Sequence, residues 1–271
     1  MPHPGRGSPT TTRLGLVGAD GRMGRAVLAS LGEPFSVGAA FVGPTNPRLG
    51  ESLRAAGLAP SDVVLRGPEG IRRGLADCDV LVSFATPAAD AAFAPVAAEL
   101  GLPMVVGTTG HSPAERATLV AASERVPIVL APNFSVGVAV LHELLGDLGA
   151  LGAGFDASIV EVHHARKRDA PSGTALELSE TLRRALARSD AAAGPRAIPI
   201  ASLRVGGVPG EHSVVLAGAH EELRIEHRVF SREAFAAGAL RAARWATAPR
   251  PPGLYSFRDV IAPTPREVGA S

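Results

Sequence analysis

Apolar residues recur along the first half of the chain in short continuous runs, and longer segments with helical spacing separate these runs. Short apolar runs bounded by turn residues predict strands buried on both faces, as in a parallel sheet. The strands predicted in this way are Leu14–Val17, Val37–Val42, Val63–Leu65, Val80–Phe84, Met104–Val106 and Ile128–Leu130. Strands that alternate with helices predict an α/β fold, a doubly wound parallel Rossmann-type sheet over residues 13–133.

The pattern changes after Asn133, where pairs of strands replace the alternation. The helices predicted in this part are Val138–Leu148, Thr174 to about Arg188 and Ser231 to about Thr247, and the strands are Ser158–His163, His212–Ala217 and Leu223–Val229. In the last strand apolar and charged positions alternate, which is typical of a half-buried strand in an antiparallel or mixed sheet. We therefore predict a second, α+β domain built on a mixed sheet over residues 134–243, followed by a C-terminal segment, 244–271.

Composition and charge limit the classes to which this protein can belong. Hydrophobic residues make up 46% of the 271 residues, and the net charge of +1 provides no basic surface for nucleic acid or for a membrane. Residues 1–12 are rich in Pro, Gly, Ser and Thr and indicate a disordered tail without a signal peptide. No apolar run approaches the ~18 residues of a membrane span. A cytoplasmic protein is expected, with its single cysteine, Cys78, buried and inert.

A glycine-bearing loop lies between the first predicted strand and helix. Its sequence is Gly18-Ala19-Asp20-Gly21-Arg22-Met23-Gly24. Glycines at this point let the backbone approach a pyrophosphate, and the helix N-terminus offers unpaired N–H groups. The loop thus predicts dinucleotide binding, although a tight structural turn would also explain the glycines. Two further loops follow predicted strands and are expected to face the cofactor, through Gly107, Thr108, Thr109, Ala131, Pro132, Asn133 and Phe134.

The segment that would hold the adenosine ribose contains no carboxylate. It is Ala40–Asn46, at the end of the second predicted strand. An acidic residue usually binds the 2′-hydroxyl there, and its absence removes repulsion against a 2′-phosphate. Arg22 could pair with that phosphate. The sequence therefore favours NADPH over NADH weakly, and either remains possible.

The only lysine of the chain, Lys167, lies in a polar loop that leads into a helix. The other 26 cationic positions are arginines, which stay protonated, whereas a lysine can release a proton. Just before it, His163 and His164 are adjacent and would point to opposite faces if both were in a strand. They favour a proton shuttle rather than a metal site, so no metal is predicted. Asp169 could orient Lys167 or cap the turn.

After the loop the chain offers a site for an anion. Ser172, Gly173 and Thr174 would present backbone N–H groups and a hydroxyl to a carboxylate. Thr174 and Glu177 have the spacing of a capping box, which predicts that the helix begins at Thr174.

Four segments form a combined pattern: Gly18-x-x-Gly21-Arg22-Met23-Gly24, Gly107-Thr108-Thr109-Gly110, Asn133-Phe134-Ser135-Val136-Gly137 and His163-His164-x-x-x-Lys167-x-Asp169-Ala170-Pro171-Ser172-Gly173-Thr174-Ala175. This pattern resembles the 4-hydroxy-tetrahydrodipicolinate reductase (dihydrodipicolinate reductase) family, of the diaminopimelate route to lysine. Gly210-Glu211-His212 and Phe235–Trp245 are similar to later landmarks of that family. The resemblance runs from about Leu14 to Trp245.

The resemblance implies hydride transfer from NADH or NADPH to C4 of the dihydropyridine ring derived from 4-hydroxy-tetrahydrodipicolinate. It implies that His163 is the general acid/base, that Lys167 donates the proton, and that His164, Gly173 and Thr174 hold the ring carboxylates. The cofactor would be held by Gly18–Met23, Gly107–Thr109 and Ala131–Phe134. It further implies a homotetramer joined through the sheet of the second domain, and a C-terminus that returns to the nucleotide-binding domain.

The sequence departs from the family pattern at two places. Val42 and Gly43 replace an acidic and a basic residue that often bind the ribose, and Ser83 and Ala85 stand where Asp and Thr are common.

Two other functions are compatible with the glycine loop. Another two-domain NAD(P) reductase would leave the lysine-centred motif unexplained, and a nucleotide-sensing protein without catalysis would not need Lys167 and His163.

Overall fold

The computed structural model of the protein describes residues 11–188 and 197–262. Most of the predicted tail, 1–12, and the end of the predicted segment 244–271 lie outside these residues. The described strands are β1 (Thr12–Val17), β2 (Phe35–Phe41), β3 (Leu65–Arg66), β4 (Val80–Ser83), β5 (Met104–Val106), β6 (Pro127–Leu130), β7 (Asp156–His163), β8 (Ile200–Arg204), β9 (Gly210–Ala217), β10 (Glu222–Val229) and β11 (Gly253–Tyr255). The helices are α1 (Arg22–Ala29), α2 (Ile71–Leu75), α3 (Pro87–Leu100), α4 (Pro113–Ser123), α5 (Val136–Asp147), α6 (Gly173–Ala187), α7 (Glu233–Thr247) and α8 (Phe257–Ile261).

The chain divides into two compact units, Met1–Phe134 with Phe235–Ser271, and Ser135–Ala234. The division places α7 from Phe235 onward with the first unit, whereas the sequence-based boundary is at residue 243. The buried face of α7 is built mainly of alanines. Small residues of this kind let a helix approach its neighbours closely, but they give no sequence signal of the unit to which the helix belongs.

The first unit contains a seven-stranded sheet in the order β11-β6-β5-β4-β1-β2-β3, and all its pairings are parallel. On one side of β1 the sheet continues through β2 to β3, and on the other side it continues through β4, β5 and β6. The strand order therefore reverses between β1 and β4. The core beside the sheet contains Phe41 and Phe93, whose rings meet edge to face with centroids 4.9 Å apart. The predicted doubly wound fold is therefore confirmed.

The second unit contains a four-stranded mixed sheet in the order β10-β9-β7-β8. Strand β7 pairs in parallel with β8 and antiparallel with β9, which pairs antiparallel with β10. Apolar residues of α5 and α6 cover one face of the sheet, and their core residues are Leu141, Leu145, Ala175, Leu178 and Leu182, against Ile159, Val214 and Leu216. The predicted mixed sheet of an α+β unit is also confirmed.

Several element boundaries differ from the predictions. The strand predicted at Val63–Leu65 lies at Leu65–Arg66, because Val64 makes an isolated antiparallel bridge with Ser52 instead. Strand β8 was not predicted at all, since its alternating exposure includes no strongly apolar face. The predicted capping box at Thr174 is wrong: the N-cap of α6 is Ser172, whose Oγ accepts the N–H of Ala175. The helix start predicted at Ser112 is confirmed, with a complete capping box to Glu115.

Candidate active site

The glycine loop occupies the carboxyl end of β1, at the reversal point of the first sheet. Gly18 has φ +78°, and a Cβ there would lie 2.5 Å from the carbonyl oxygen of Phe84, so the turn requires glycine. Gly21 is the N-cap of α1 and provides no side-chain cap, and the first turn of α1 holds no acidic residue. The first N–H groups of α1 are thus available to an anion, as a bound pyrophosphate requires.

The two other loops predicted to face the cofactor follow β5 and β6, at the same edge of the sheet. Gly107 lies against the ring of Phe84, and a Cβ added to it would come 2.0 Å from that ring. Ala131 and Phe134 are buried, and the Phe134 ring packs between those of Phe84 and Phe257, at 5.8 and 5.1 Å. The side chain of Phe134 is therefore a core element, so only its backbone or ring edge could contact a cofactor.

The ribose end of this edge has a feature that the sequence did not reveal. The Nδ2 of Asn46 donates to Oδ2 of Asp20 over 2.5 Å, and Arg25 donates to the carbonyl of Asp20 over 2.8 Å. The glycine loop is thereby fixed to the segment after β2. Arg22 is exposed. The residues predicted for the cofactor thus all lie in the first unit, along one sheet edge that fits a dinucleotide.

Residues of the lysine segment lie in the second unit, at the end of β7. Glu161 and His163 are two positions apart on the strand and point to the same face, where Glu161 is 0% and His163 8% exposed. The Nδ1 of His163 is hydrogen bonded to Oε2 of Glu161. This contact fixes the ring and leaves Nε2 as the nitrogen that can exchange a proton with a ligand.

Arg204 of β8 neutralises Glu161 from the other side. Its two terminal nitrogens meet the two carboxylate oxygens, at 2.9 and 2.7 Å, and the N–H of Ser172 donates to Oε1 over 3.2 Å. Burial alone would raise the pKa of Glu161, but the hydrogen bonds from Arg204 and His163 outweigh it and lower the pKa to about 2. Glu161 is therefore a carboxylate at neutral pH.

The pKa of His163 is lowered from its ordinary value. Burial is the main cause, and the charges of Lys167 and Arg204 add to it, against the opposing effect of Glu161. A histidine whose pKa is lowered is neutral at physiological pH and can accept a proton.

Lys167 and the helix start complete this cluster. The Nζ of Lys167 lies 2.8 Å from Oδ2 of Asp169, so Asp169 orients the lysine, and the N–H of Lys167 donates to the carbonyl of His164. Burial would raise the pKa of Asp169, but the contact with Lys167 lowers it. Lys167 is 23% exposed, which leaves its ammonium group accessible to a ligand.

Ser172, Gly173 and Thr174 form the first turn of α6, as the anion site requires. Ser172 is 1% exposed, Thr174 is half-buried, and Gly173 is exposed. The structure thus brings together His163, Lys167 and the start of α6 around Glu161, and His164 contacts Lys167 through its backbone carbonyl.

Three further residues of this cluster were given no role by the sequence analysis. Glu161 and Arg204 are described above, and His212 of β9 is the third. Its ring lies 5.3 Å from that of His163, and its Nε2 lies 3.5 Å from the Oγ of Ser172. Burial, with the neighbouring His163 and His227, lowers the pKa of His212 to about 3. Glu161 and His163 are two positions apart on one strand and therefore share a face. This spacing was a usable signal for Glu161, because a carboxylate on a buried face requires partners.

Comparison with known proteins decides the family. The model for the N-terminus of dihydrodipicolinate reductase matches residues 12–134, and the model for its C-terminus matches residues 137–261. This chain belongs to the dihydrodipicolinate reductase family. It is 39% identical over 267 residues to the 4-hydroxy-tetrahydrodipicolinate reductase of Thiobacillus denitrificans, covering 93% of this chain and 98% of that protein. It is 40% identical over 268 residues to that of Anaeromyxobacter dehalogenans strain 2CP-1, covering 92% and 97%.

Solved structures agree in fold. A dipicolinate-bound dihydrodipicolinate reductase from Paenisporosarcina sp. TG-14 superposes with a TM-score of 0.70 at 20% identity, covering 91% of this chain and 97% of that one. A putative myo-inositol dehydrogenase from Sinorhizobium meliloti gives a TM-score of 0.60 at 15% identity, covering 93% of each chain. The family identifies this chain as an oxidoreductase of lysine biosynthesis with a Rossmann-type NAD(P) domain.

Among residues 11–188 and 197–262 no group of three or more His, Cys, Asp or Glu is placed to hold a metal ion. No helix in those residues is both long and apolar enough to cross a membrane.

Proposed function

We propose that this chain reduces the dihydrodipicolinate ring derived from 4-hydroxy-tetrahydrodipicolinate to tetrahydrodipicolinate, with Lys167 as the proton donor. The observation that supports this most strongly is the cluster at the end of β7, where the only lysine of the chain, a neutral histidine and the start of helix α6 lie together. A bound reduced nicotinamide supplies the hydride for C4 of the ring. The residues of this chain supply the proton, the carboxylate contacts and the orientation.

The geometry of the cluster supports the following roles. Asp169 holds the Lys167 ammonium, from which the proton passes to the ring carbon next to the site of hydride addition. Neutral His163, fixed by Glu161, acts as the general acid/base, through Nε2. The carboxylates of the ring are held by His164 and by Ser172, Gly173 and Thr174, where a helix N-terminus favours negative charge.

Coenzyme binding is assigned to the carboxyl edge of the first sheet. The proposed contacts are Gly18, Ala19, Asp20, Gly21, Arg22 and Met23, with Gly107, Thr108, Thr109, Ala131, Pro132, Asn133 and Phe134. NADPH is the weakly preferred coenzyme, because residues 40–46 carry no carboxylate and Arg22 is exposed. The proposed domains are 13–133 for the coenzyme and 134–243 for substrate and assembly, with 244–271 returning to the coenzyme domain.

The proposed assembly is a cytoplasmic homotetramer joined through the outer face of the second sheet. On that face Leu203 and Val205 are 50% and 55% exposed, and this pair of apolar side chains suits burial against a second copy of the chain. Light scattering of the purified protein tests this, with Leu203→Glu as the variant that should lower the measured mass. An unchanged mass would contradict the assigned interface.

The activity is tested with the condensation product of pyruvate and aspartate semialdehyde. Consumption of NADPH and of NADH is followed separately for the wild type, Lys167→Ala and His163→Ala. Loss of the proton donor or general acid/base should lower kcat by about 100-fold or more, while Arg168→Ala, an exposed cation of the same loop, should have little effect. An inactive wild type with both coenzymes refutes the function, and an unchanged kcat in both variants refutes the roles.

A further inference from the structure

A buried polar network connects helix α3 with two loops at the coenzyme edge of the first sheet. Its centre is Asp90 in α3, which is 0% exposed. Its Oδ1 accepts the hydroxyl of Ser83 at the end of β4, and its Oδ2 lies 2.8 Å from Nε2 of His111. The His111 side chain is 7% exposed, so the contact is shielded from water. A hydrogen-bonded carboxylate in such a place is costly to bury unless its partners are all in position.

Thr108 adds a third donor to the same carboxylate. Its Oγ1 accepts the N–H of Ala85 over 3.2 Å, which leaves its own proton for Asp90. Burial raises the pKa of Asp90, and the hydrogen bonds from Ser83, His111 and Thr108 oppose that effect. One carboxylate thus collects three donors from two separate loops.

The loops that meet at Asp90 border the reversal point of the sheet. The segment Ser83–Ala85 passes beside Gly18 of the glycine loop. A Cβ added to Gly18 would lie 2.5 Å from the carbonyl oxygen of Phe84. The segment Gly107–His111 includes three of the residues assigned above to the coenzyme. In open α/β sheets a nucleotide binds at this edge, so the shape of these loops determines its contacts.

We infer that Asp90 is a positioning residue for the nicotinamide coenzyme, which holds the loop Gly107–His111 in its binding conformation through His111 and Thr108. Asp90 acts through these residues and does not itself need to touch the coenzyme. The inference rests on the proposed function, because it takes the Gly107–Thr109 contacts as given. It also explains how Ser83 is accommodated, since its hydroxyl is bonded to a carboxylate that α3 supplies.

Calorimetric titration of the full chain with NADPH and NADH, without the dicarboxylate, tests the inference. Asp90→Asn offers one acceptor oxygen to three donors, and His111→Leu removes one donor. Each should weaken coenzyme binding by about tenfold, or ~1.4 kcal/mol. His111→Gln keeps an N–H donor at the position of Nε2 and should bind nearly as the wild type does. In turnover, the KM for coenzyme should rise in Asp90→Asn while kcat at saturation changes little.

Ser256→Ala is the matched control. It removes the capping box of α8, in the same unit, and touches no member of the network. It should lower Tm with no change in coenzyme affinity. The inference is overturned if Asp90→Asn and His111→Leu lower Tm but bind coenzyme as tightly as the wild type, because the network would then serve folding alone. A wild type that binds neither coenzyme overturns the proposed function and, with it, this inference.

Discussion

Replacing Glu161 by Gln should destabilise the protein strongly, and the size of the loss can be derived from the surroundings of this side chain. Glu161 is fully buried and holds Arg204, His163 and the N–H of Ser172. Its pKa is about 2, against an ordinary value of 4.5. At about 1.4 kcal/mol per pKa unit, the difference corresponds to about 3 kcal/mol of stabilisation of the charged form. Breaking a buried ion pair by removing one partner costs about 3–5 kcal/mol, which agrees with this figure because the amide leaves the half-buried Arg204 without a carboxylate.

The pH dependence of this loss has a definite sign. The pKa of Glu161 is lowered in the folded state. Its contribution to the free energy of unfolding is therefore fully present above pH 4.5 and is lost as the pH falls from 4.5 through about 2. For the wild type the contribution should fall from about 3 kcal/mol near neutral pH to about 1 kcal/mol near pH 3. The free energies of wild type and Glu161→Gln should therefore converge in acid.

Urea unfolding followed by circular dichroism, at neutral and acidic pH, measures this difference. Glu211→Gln is the matched control, since Glu211 pairs with Arg228 at the surface through contacts of 2.8 and 3.0 Å. An exposed pair contributes little, so this variant should lose only a small fraction of the stability that Glu161→Gln loses. The reasoning fails if the two variants lose equal stability, or if the loss in Glu161→Gln is independent of pH.

Three further predictions concern single positions. Gly18→Ala should weaken NADPH binding in a calorimetric titration and lower Tm, because its φ of +78° and the nearby Phe84 carbonyl leave no room for a Cβ; unchanged binding would contradict the assigned loop. Cys78 should resist alkylation in the native protein, since burial raises the pKa of its thiol to about 11; rapid labelling detected by mass spectrometry would contradict this. Ser172→Ala removes the N-cap bond to Ala175 and should cost about 1 kcal/mol in urea unfolding, together with a higher KM for the dicarboxylate; an unchanged KM would exclude Ser172 from the anion site.

The first sheet could be predicted from the sequence because its strands are continuous apolar runs between helices. Such runs have few alternatives to a buried parallel strand. The capping box at Ser112 was readable for a similar reason, since Ser, Pro and Glu there all favour the same helix start. At α6 the predicted capping residue was Thr174, whereas the structure shows Ser172 as the N-cap. Only the extended backbone of Ser172, with ψ 151°, and its contact with Glu161 decide between them.

The polar networks could not be predicted, because they depend on contacts between distant positions. Arg204 is separated from Glu161 by 43 residues and lies in a strand that has no continuous apolar run. Asp90 and His111 are 21 residues apart, on a helix and a loop, and neither looks unusual alone. Composition alone could single out Lys167 as the one lysine among arginines. The residues that surround it, such as Glu161 and Arg204, could be identified only once the fold was known.

The origin of the hydrogen added to the ring tests the central claim most directly. Reduced coenzyme with deuterium at both hydrogen positions of nicotinamide C4 is supplied with the condensation product of pyruvate and aspartate semialdehyde, and the ring product is analysed by mass spectrometry. If the chain catalyses the proposed reduction, the product gains one deuterium for each coenzyme oxidised, and Lys167→Arg forms it far more slowly because arginine does not release its proton. A product without deuterium, or no product from wild type with either coenzyme, would contradict the claim.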